Sequence, residues 1–132
     1  SYSPPIDHYS VTTLIQLMTF TAPQFKAEYQ TECLLEVLNN EWKVLATENG
    51  RNFYSYLTME VGRKYIKVWR SDCYDGVVRE GRSCFMFVDK NNGAVYKPAS
   101  YKAPAKGIRF YIESLLETPE VVDSYGSFLY RR

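Results

Sequence analysis

The cations of this chain are unevenly spread, and one segment gathers enough of them to bind an anion. No acidic residue occurs between Asp89 and Glu113, and residues 90–109 are called the basic segment below. Its five cations are Lys90, Lys97, Lys102, Lys106 and Arg109. A segment with this many uncompensated cations predicts contact with a negatively charged partner.

Phosphate is the anion that these side chains suit best. The ammonium groups of Lys97, Lys102 and Lys106 can donate hydrogen bonds to phosphate oxygens, and the planar guanidinium of Arg109 can bind two oxygens at once. A helix predicted to begin near Gly107 would direct free N–H groups and its positive end toward the same region.

Aromatic residues accompany the cations: Tyr96, Tyr101, Phe110 and Tyr111. Stacking of one base on such a ring typically contributes about 1–3 kcal/mol. A ligand that joins an adenine to a pyrophosphate therefore fits the segment. The alternative is that the lysines form a solvated face and the aromatic rings belong to the core.

Residues for catalysis or metal binding are sparse. The single histidine, His8, lies in a proline-flanked arm, where no rigid scaffold would hold it beside a nucleophile. The three cysteines show no C-x-x-C spacing, and their odd number argues against a disulfide framework: Cys33, Cys73 and Cys84. Asn91-Asn92-Gly93 is better explained as a hairpin turn than as part of a calcium loop. We predict a protein that is not an enzyme and uses no metal or cofactor.

Length and charge limit the remaining classes. At 132 residues the chain has room for one domain, and its formal net charge is +1. The isoelectric point of about 7.6 is below the value of about 9 above which nucleic-acid-binding domains usually lie. No apolar run or secretion signal indicates a membrane span or export. We expect a single cytoplasmic domain, residues 1–132, with no membrane and no specific nucleic-acid partner.

Helical patterns occupy the N-terminal part. Residues 1–9 are predicted to be a flexible arm, and residues 10–50 are predicted to be helical. A short helix is expected over residues 10–20, and a longer one after the capping box Thr21-x-x-Gln24. Asn49-Gly50 is typical of a helix end at which one residue adopts the left-handed backbone conformation, and it would end a helix of about 26 residues. A helix this long usually finds a partner helix, so we expect a homodimer or larger assembly. Alternatively, Asn39-Asn40 breaks the segment and "WKVLATE" is a strand.

Residues 52–97 alternate with the period of strands and predict an antiparallel four-stranded sheet made of two hairpins. The sequence "DCYDGVVREGR" between the hairpins is expected to be a polar, mobile connection. Residues 98–132 are predicted to hold a basic loop and C-terminal helices, the first within "IRFYIESLLE". The fold class is α+β.

One stretch resembles a known family. The order of a strand, "D-x-x-N-G", a second strand and "Y-K-x-A-x-(aromatic)-K-A-P-A-K-x-x-R" is similar to small phage proteins of the first Thoeris anti-defence family. The similarity covers residues 85–109, with weaker support from "VGRKYIKVWR" before it. Tyr101 stands where relatives carry Trp, and "RFY" follows where Gly is common, which leaves the ligand preference open.

This resemblance implies a non-catalytic sponge in the host cytoplasm. Such a protein would form a homodimer that assembles further into a hexamer. Its pockets between protomers would enclose glycocyclic ADP-ribose, which is a cyclic ADP-ribose isomer made by a TIR enzyme. Cyclic oligonucleotides would bind at a separate site in the larger assembly. Asn92 and Arg109 would be polar ligand contacts, Phe85 or Phe87 would stack on adenine, and Lys26 is the nearest match to a basic helix contact.

Other classes of function stay open. A nucleic-acid-binding phage accessory protein could use the same lysines and tyrosines, and its affinity would fall steeply with salt. A third alternative is an enzyme, either a nucleotide hydrolase or a lyase. A fourth is a structural phage protein whose basic segment is buried in assembly contacts.

Overall fold

The computed structural model describes residues 23–130 and their side chains from residue 26 onward. The predicted N-terminal arm with His8, the short helix over 10–20 and Thr21 of the capping box lie outside the described residues. The remaining elements form one α+β arrangement of a long helix and an antiparallel sheet.

The first helix, α1, spans Pro23–Glu48 without interruption. Asn39-Asn40 does not break it, so the alternative of a strand over "WKVLATE" is wrong. The helix ends as predicted, because Gly50 adopts φ +70° and the Arg51 N–H binds the Ala46 carbonyl at 2.8 Å. One side of α1 is buried against the sheet, through Ala27, Leu34, Leu35, Leu38 and Ala46.

The sheet contains five strands, one more than predicted. They are β1 (Phe53–Val61), β2 (Tyr65–Tyr74), β3 (Val77–Asp89), β4 (Ala94–Tyr96) and β5 (Phe110–Tyr111), in spatial order β1-β2-β3-β4-β5. Neighbouring strands are antiparallel. The fifth strand was missed because its two residues pair with Ala94 and Val95 of β4, which lie far back along the chain.

The expected mobile connection between the hairpins is in fact regular structure. It forms the end of β2, a tight turn and the beginning of β3, so that β2 and β3 make one long hairpin. Asp75 and Gly76 take φ +52° and +80°, the two positive values that a two-residue hairpin turn of type I′ requires. Asp-Gly between Tyr74 and Val77 was the sequence signal for this turn.

The second predicted hairpin, around Asn91-Asn92-Gly93, joins β3 to β4 as expected. Gly93 has φ +74°, and a Cβ atom there would lie 2.9 Å from the Ile112 side chain. Glycine is therefore required by both its backbone angle and its packing.

The C-terminal part contains less helix than predicted. Helix α2 covers only Ile112–Glu117, since Phe110 and Tyr111 of "IRFYIESLLE" belong to β5. Two short 3₁₀ helices follow, Pro119–Val121 and Ser127–Tyr130. Within residues 23–130, α1 is thus the one long helix.

The strands have two distinct faces. The inner face packs against α1 and α2 and carries Leu57, Ile66, Val68, Met86, Val88 and Val95. The outer face carries the alternate residues, and one cross-strand row on it runs Glu60, Lys67, Phe87 and Tyr96. The main hydrophobic cluster lies between the inner face and the helices, and Phe85, Phe128 and Leu129 complete it.

Candidate functional site

The middle of the basic segment is a closed loop, residues 98–104, held by its own hydrogen bonds. Pro98 and Pro104 face each other in a β-bridge, and the Ala105 N–H binds the Lys97 carbonyl at 2.8 Å. The Ala99 N–H binds the Ala103 carbonyl at 3.0 Å. Prolines suit the bridge because neither has an N–H to leave unpaired. The loop therefore holds a defined shape beside the sheet.

The lysines of the basic segment do not converge on one point within the chain. The Lys97 Nζ lies 4.6 Å from the centre of the Tyr130 ring, and the Lys102 Nζ lies 5.5 Å from that of Tyr101. Lys90 donates to the Gly62 carbonyl at 3.0 Å, and Lys106 is exposed. Among residues 23–130, none of these lysines has a carboxylate within ion-pair distance. Their charges remain available to an anion.

Arg109 is the unusual cation of the segment. Its backbone N–H binds the Val95 carbonyl at 2.8 Å, which places it beside β4. Its side-chain Nε is buried, and no acceptor within residues 23–130 reaches it. A buried donor without a partner is costly, and the penalty is larger for a charged group. An anion bound next to Arg109 would remove that penalty.

A groove of about 510 Å³ lies between the 98–104 loop and strands β2 and β3. We call it the wide groove. Tyr101 forms one wall, and this residue is 60% exposed. The lining residues are Trp69, Arg82, Ser83 and Cys84 from the strands and Pro98, Ala99, Ser100 and Tyr101 from the loop.

The opposite wall is a stack of an arginine on a tryptophan. The guanidinium carbon of Arg82 lies 4.0 Å from the Trp69 ring centre, and the Lys67 Nζ lies 5.6 Å from it. The Trp69 Nε1–H donates to Glu60 Oε1 at 2.9 Å, and Arg82 Nη2 approaches the same oxygen at 3.8 Å. Stacking fixes the guanidinium plane and leaves its edge free for hydrogen bonds.

Sequence reasoning missed Arg82, Trp69 and Lys67 as site residues. Alternation in "KYIKVWRS" does place Lys67 and Trp69 on the same face of a strand. Arg82, however, was assigned to a mobile connection, and only the long β2–β3 hairpin brings it over Trp69.

A smaller pocket of about 180 Å³ adjoins the wide groove and shares Ser83, Cys84 and Pro98 with it. Tyr125 and Tyr130 of the C-terminal segment form its far side. Arg70 ties this segment to β2, because its Nε donates to the Ser124 carbonyl at 2.9 Å. The pocket is thus built partly from residues 124–130.

The two predicted stacking residues lie in packed surroundings. Phe85 is 5% exposed and sits between Trp42 and Phe128, with ring centres 6.4 and 5.9 Å away. Phe87 is 1% exposed and meets Tyr65 edge-on at 5.8 Å. Neither ring offers a free face in this conformation, whereas the Tyr101 ring does.

The other predicted contacts are spread over the molecule. Tyr96 is half-buried on the outer face, and burial raises the pKa of its phenol. Asn92 Oδ1 accepts a hydrogen bond from the Ala94 N–H at 2.9 Å and so stabilises the turn. Lys26 lies on α1, which packs on the inner side of the sheet. The structure thus brings Tyr101 and the 98–104 loop to the wide groove and leaves Lys26 apart from it.

The described residues offer neither a metal cluster nor a membrane-spanning helix. Within this part of the chain, no three His, Cys, Asp or Glu side chains are grouped as a metal ion would require. None of the helices between residues 23 and 130 is both long and apolar enough to span a bilayer.

Comparison with known proteins assigns a family. No curated protein and no solved structure matches the chain significantly. One sequence-family model matches residues 8–131, which is nearly the whole chain, and its description is "family of unknown function (DUF7717)". The chain therefore belongs to the DUF7717 family.

Proposed function

We propose that this protein binds a compact phosphorylated nucleotide in the wide groove and holds it without converting it. The observation that carries the proposal is the pairing of an exposed ring, Tyr101, with the stacked pair of Arg82 and Trp69 on the facing wall. One wall can take a base and the other a phosphate.

The contacts available in the groove match the parts of such a ligand. A purine stacked on Tyr101 would gain about 1–3 kcal/mol. The free edge of the Arg82 guanidinium would donate to one phosphate, and Lys102, whose Nζ lies 5.5 Å from the Tyr101 ring centre, would reach a second. Arg109 does not line the groove, and its buried Nε lacks an acceptor within residues 23–130.

The proposal assigns no chemical step to the protein. Among the described residues, no carboxylate or imidazole side chain lines the wide groove, and its nucleophilic candidates are Ser83, Ser100 and Cys84. Burial raises the pKa of the Cys84 thiol, which favours its unreactive protonated form. Binding without chemistry suits a protein that sequesters a signal.

The biological setting that we propose rests on the sequence resemblance over residues 85–109. In that setting the ligand is a cyclic ADP-ribose isomer, such as glycocyclic ADP-ribose, that acts as an immune signal. The protein is then a phage anti-defence sponge in the host cytoplasm, assembled as a homodimer or hexamer.

Calorimetry with cyclic ADP-ribose and its glycocyclic isomer tests the proposal. We expect saturable binding that Arg82→Gln weakens about tenfold or more, since it removes a charge-assisted contact. Arg63→Gln is the matched control, because Arg63 is exposed in the turn between β1 and β2. Absence of saturable binding to both ligands would refute the proposal.

Two further measurements separate the alternatives. Ligand recovered unchanged after heat denaturation, as judged by mass spectrometry, is expected here, whereas a cleaved product would indicate an enzyme. Affinity that grows with oligonucleotide length and falls steeply with salt would instead assign the groove to nucleic acid.

A further inference from the structure

Glu60 contacts Trp69 and Arg82, two residues that line the wide groove. Its Oε1 accepts the Trp69 Nε1–H at 2.9 Å and lies 3.8 Å from Arg82 Nη2. The register also places Glu60 directly opposite Lys67 in the outer-face row. No other carboxylate forms an ion pair with Arg82 among the described residues.

The wall thus has a defined charge balance. Arg82 and Lys67 each bring one positive charge, and Glu60 brings one negative charge. The hydrogen bond from the Trp69 Nε1–H favours a position of the Glu60 carboxylate beside Arg82. One net positive charge remains, which one negative charge at the wall would neutralise.

Phosphate groups differ in the charge that they would place here. A phosphate esterified on two sides carries one negative charge, whereas a terminal phosphomonoester carries about 1.5–2 at neutral pH. The second charge of a monoester would lie close to Glu60 and be repelled by it.

We infer that Glu60 makes the wide groove selective for ligands whose phosphates are all internal, with one charge each, over ligands that end in a free phosphate. This inference rests on the proposed function and deepens it by naming the ligand class. Cyclic nucleotides and linear molecules with a capped pyrophosphate belong to the accepted class, and nucleoside diphosphates belong to the rejected one.

The size of the effect follows from the exposure of the groups. The Glu60 and Arg82 side chains are 58% and 49% exposed, so solvent screens the repulsion. We expect Glu60→Gln to strengthen ADP binding about three- to tenfold and cyclic ADP-ribose binding only about two- to threefold, because the phosphate beside Arg82 then carries about half the charge. Glutamine retains an oxygen that can accept the Trp69 Nε1–H, so the stack with Arg82 is kept.

The experiment is calorimetry of the full chain and its variants with ADP and cyclic ADP-ribose. Glu41→Gln is the control, because Glu41 is an exposed carboxylate on α1, away from the outer face. Tryptophan fluorescence and the unfolding midpoint show whether Glu60→Gln preserves the fold. Glu60→Asp, which keeps the charge, should remain selective against ADP.

The outcomes separate the two proposals. Suppose that cyclic ADP-ribose binds, but that Glu60→Gln does not raise the affinity for ADP more than the affinity for cyclic ADP-ribose. The selectivity inference then fails and the proposed function stands. The selectivity inference also fails on its own if Glu41→Gln has an effect equal to that of Glu60→Gln. If neither the wild-type protein nor Glu60→Gln binds cyclic ADP-ribose or its glycocyclic isomer, both proposals fail.

Discussion

Aromatic rings pack against one another on both faces of the sheet, but those on the outer face also lie beside cations. Within the core, Phe128 is tilted against Phe85 and Phe110 at centre distances of 5.9 and 5.6 Å. On the outer face, Arg82 and Lys67 both lie over Trp69. Aromatic side chains thus serve cohesion on both faces, and on the outer face they also hold cations in place.

This difference predicts that changes on the two faces will separate in experiment. Removal of an inner ring leaves a cavity and lowers the free energy of unfolding. Removal of an outer cation deletes a partly solvated charge, which contributes little to stability but can dominate the binding of an anion. Four predictions test this division, from the largest expected effect to the smallest.

Phe128→Ala should lower the free energy of unfolding by about 3–5 kcal/mol, because the ring is fully buried among Phe85 and Phe110. Urea denaturation followed by circular dichroism measures this. Tyr125→Ala nearby is the control and should change stability by about 0.5 kcal/mol or less, since Tyr125 is 86% exposed. A loss below about 1 kcal/mol for Phe128→Ala would mean that the C-terminal segment does not complete the core.

Arg109→Ala should weaken binding of cyclic ADP-ribose by about 1.5–3 kcal/mol if Arg109 makes a charge-assisted contact with phosphate. Stability should hold or rise slightly, because the variant removes a buried Nε–H that lacks an acceptor within residues 23–130. Calorimetry and thermal unfolding report the two quantities. Lys106→Ala, an exposed cation of the same segment, serves for comparison. Unchanged affinity in Arg109→Ala would give Arg109 a structural role instead.

Asn39→Ala should reduce stability by about 1–3 kcal/mol, because Asn39 fills both backbone hydrogen-bonding positions of Leu57 in β1. Its Nδ2 donates to the Leu57 carbonyl at 2.9 Å, and its Oδ1 accepts the Leu57 N–H at 2.8 Å. Asn40→Ala gains the same helix propensity without losing these bonds, so the difference between the two variants isolates them. Equal unfolding midpoints would show that water replaces the amide without loss.

Ionisation of Tyr54 should lower the free energy of unfolding slightly at alkaline pH. A hydrogen bond with the Cys73 thiol, followed by burial, raises the pKa of Tyr54 to about 12. Since the unfolded phenol has a pKa of about 10, the folded state holds this proton more tightly. The stability that the protonated Tyr54 phenol contributes is fully present below a pH of about 10. It is lost as the pH rises from there toward about 12.

Absorbance at alkaline pH should therefore show Tyr54 ionising later than the exposed tyrosines, with Tyr96 also delayed by its burial. Cys73→Ala should move the pKa of Tyr54 alone back toward the ordinary value of about 10. Cys33→Ala is the control for loss of a thiol elsewhere. Titration of Tyr54 at its ordinary value in the native protein would show that the Cys73 hydrogen bond is absent in solution.

Local patterns in the sequence were sufficient for much of the fold. The spacing of apolar residues and the Asn49-Gly50 stop predicted the long helix and its end. The Asn91-Asn92-Gly93 turn predicted the second hairpin. These features depend on backbone preferences of a few adjacent residues, so a linear pattern reveals them.

Features that depend on distant residues were not predicted. The short β5 exists because Phe110 and Tyr111 pair with β4, and the β2–β3 hairpin was misassigned because its charged residues resembled a loop. The basic segment was correctly identified as a region without acidic neighbours in the sequence. Its lysines, however, are directed to separate places in the fold.

The sequence by itself determined the composition of this protein's anion-attracting region, namely its five cations, its tyrosines and the prolines that shape the 98–104 loop. Only the tertiary structure decided which of them face a groove. Arg82 and Trp69 are 13 positions apart and meet only because antiparallel pairing of β2 with β3 brings them together. Strand pairing and burial set the positions of these groups in space, and neither is visible in the order of the residues alone.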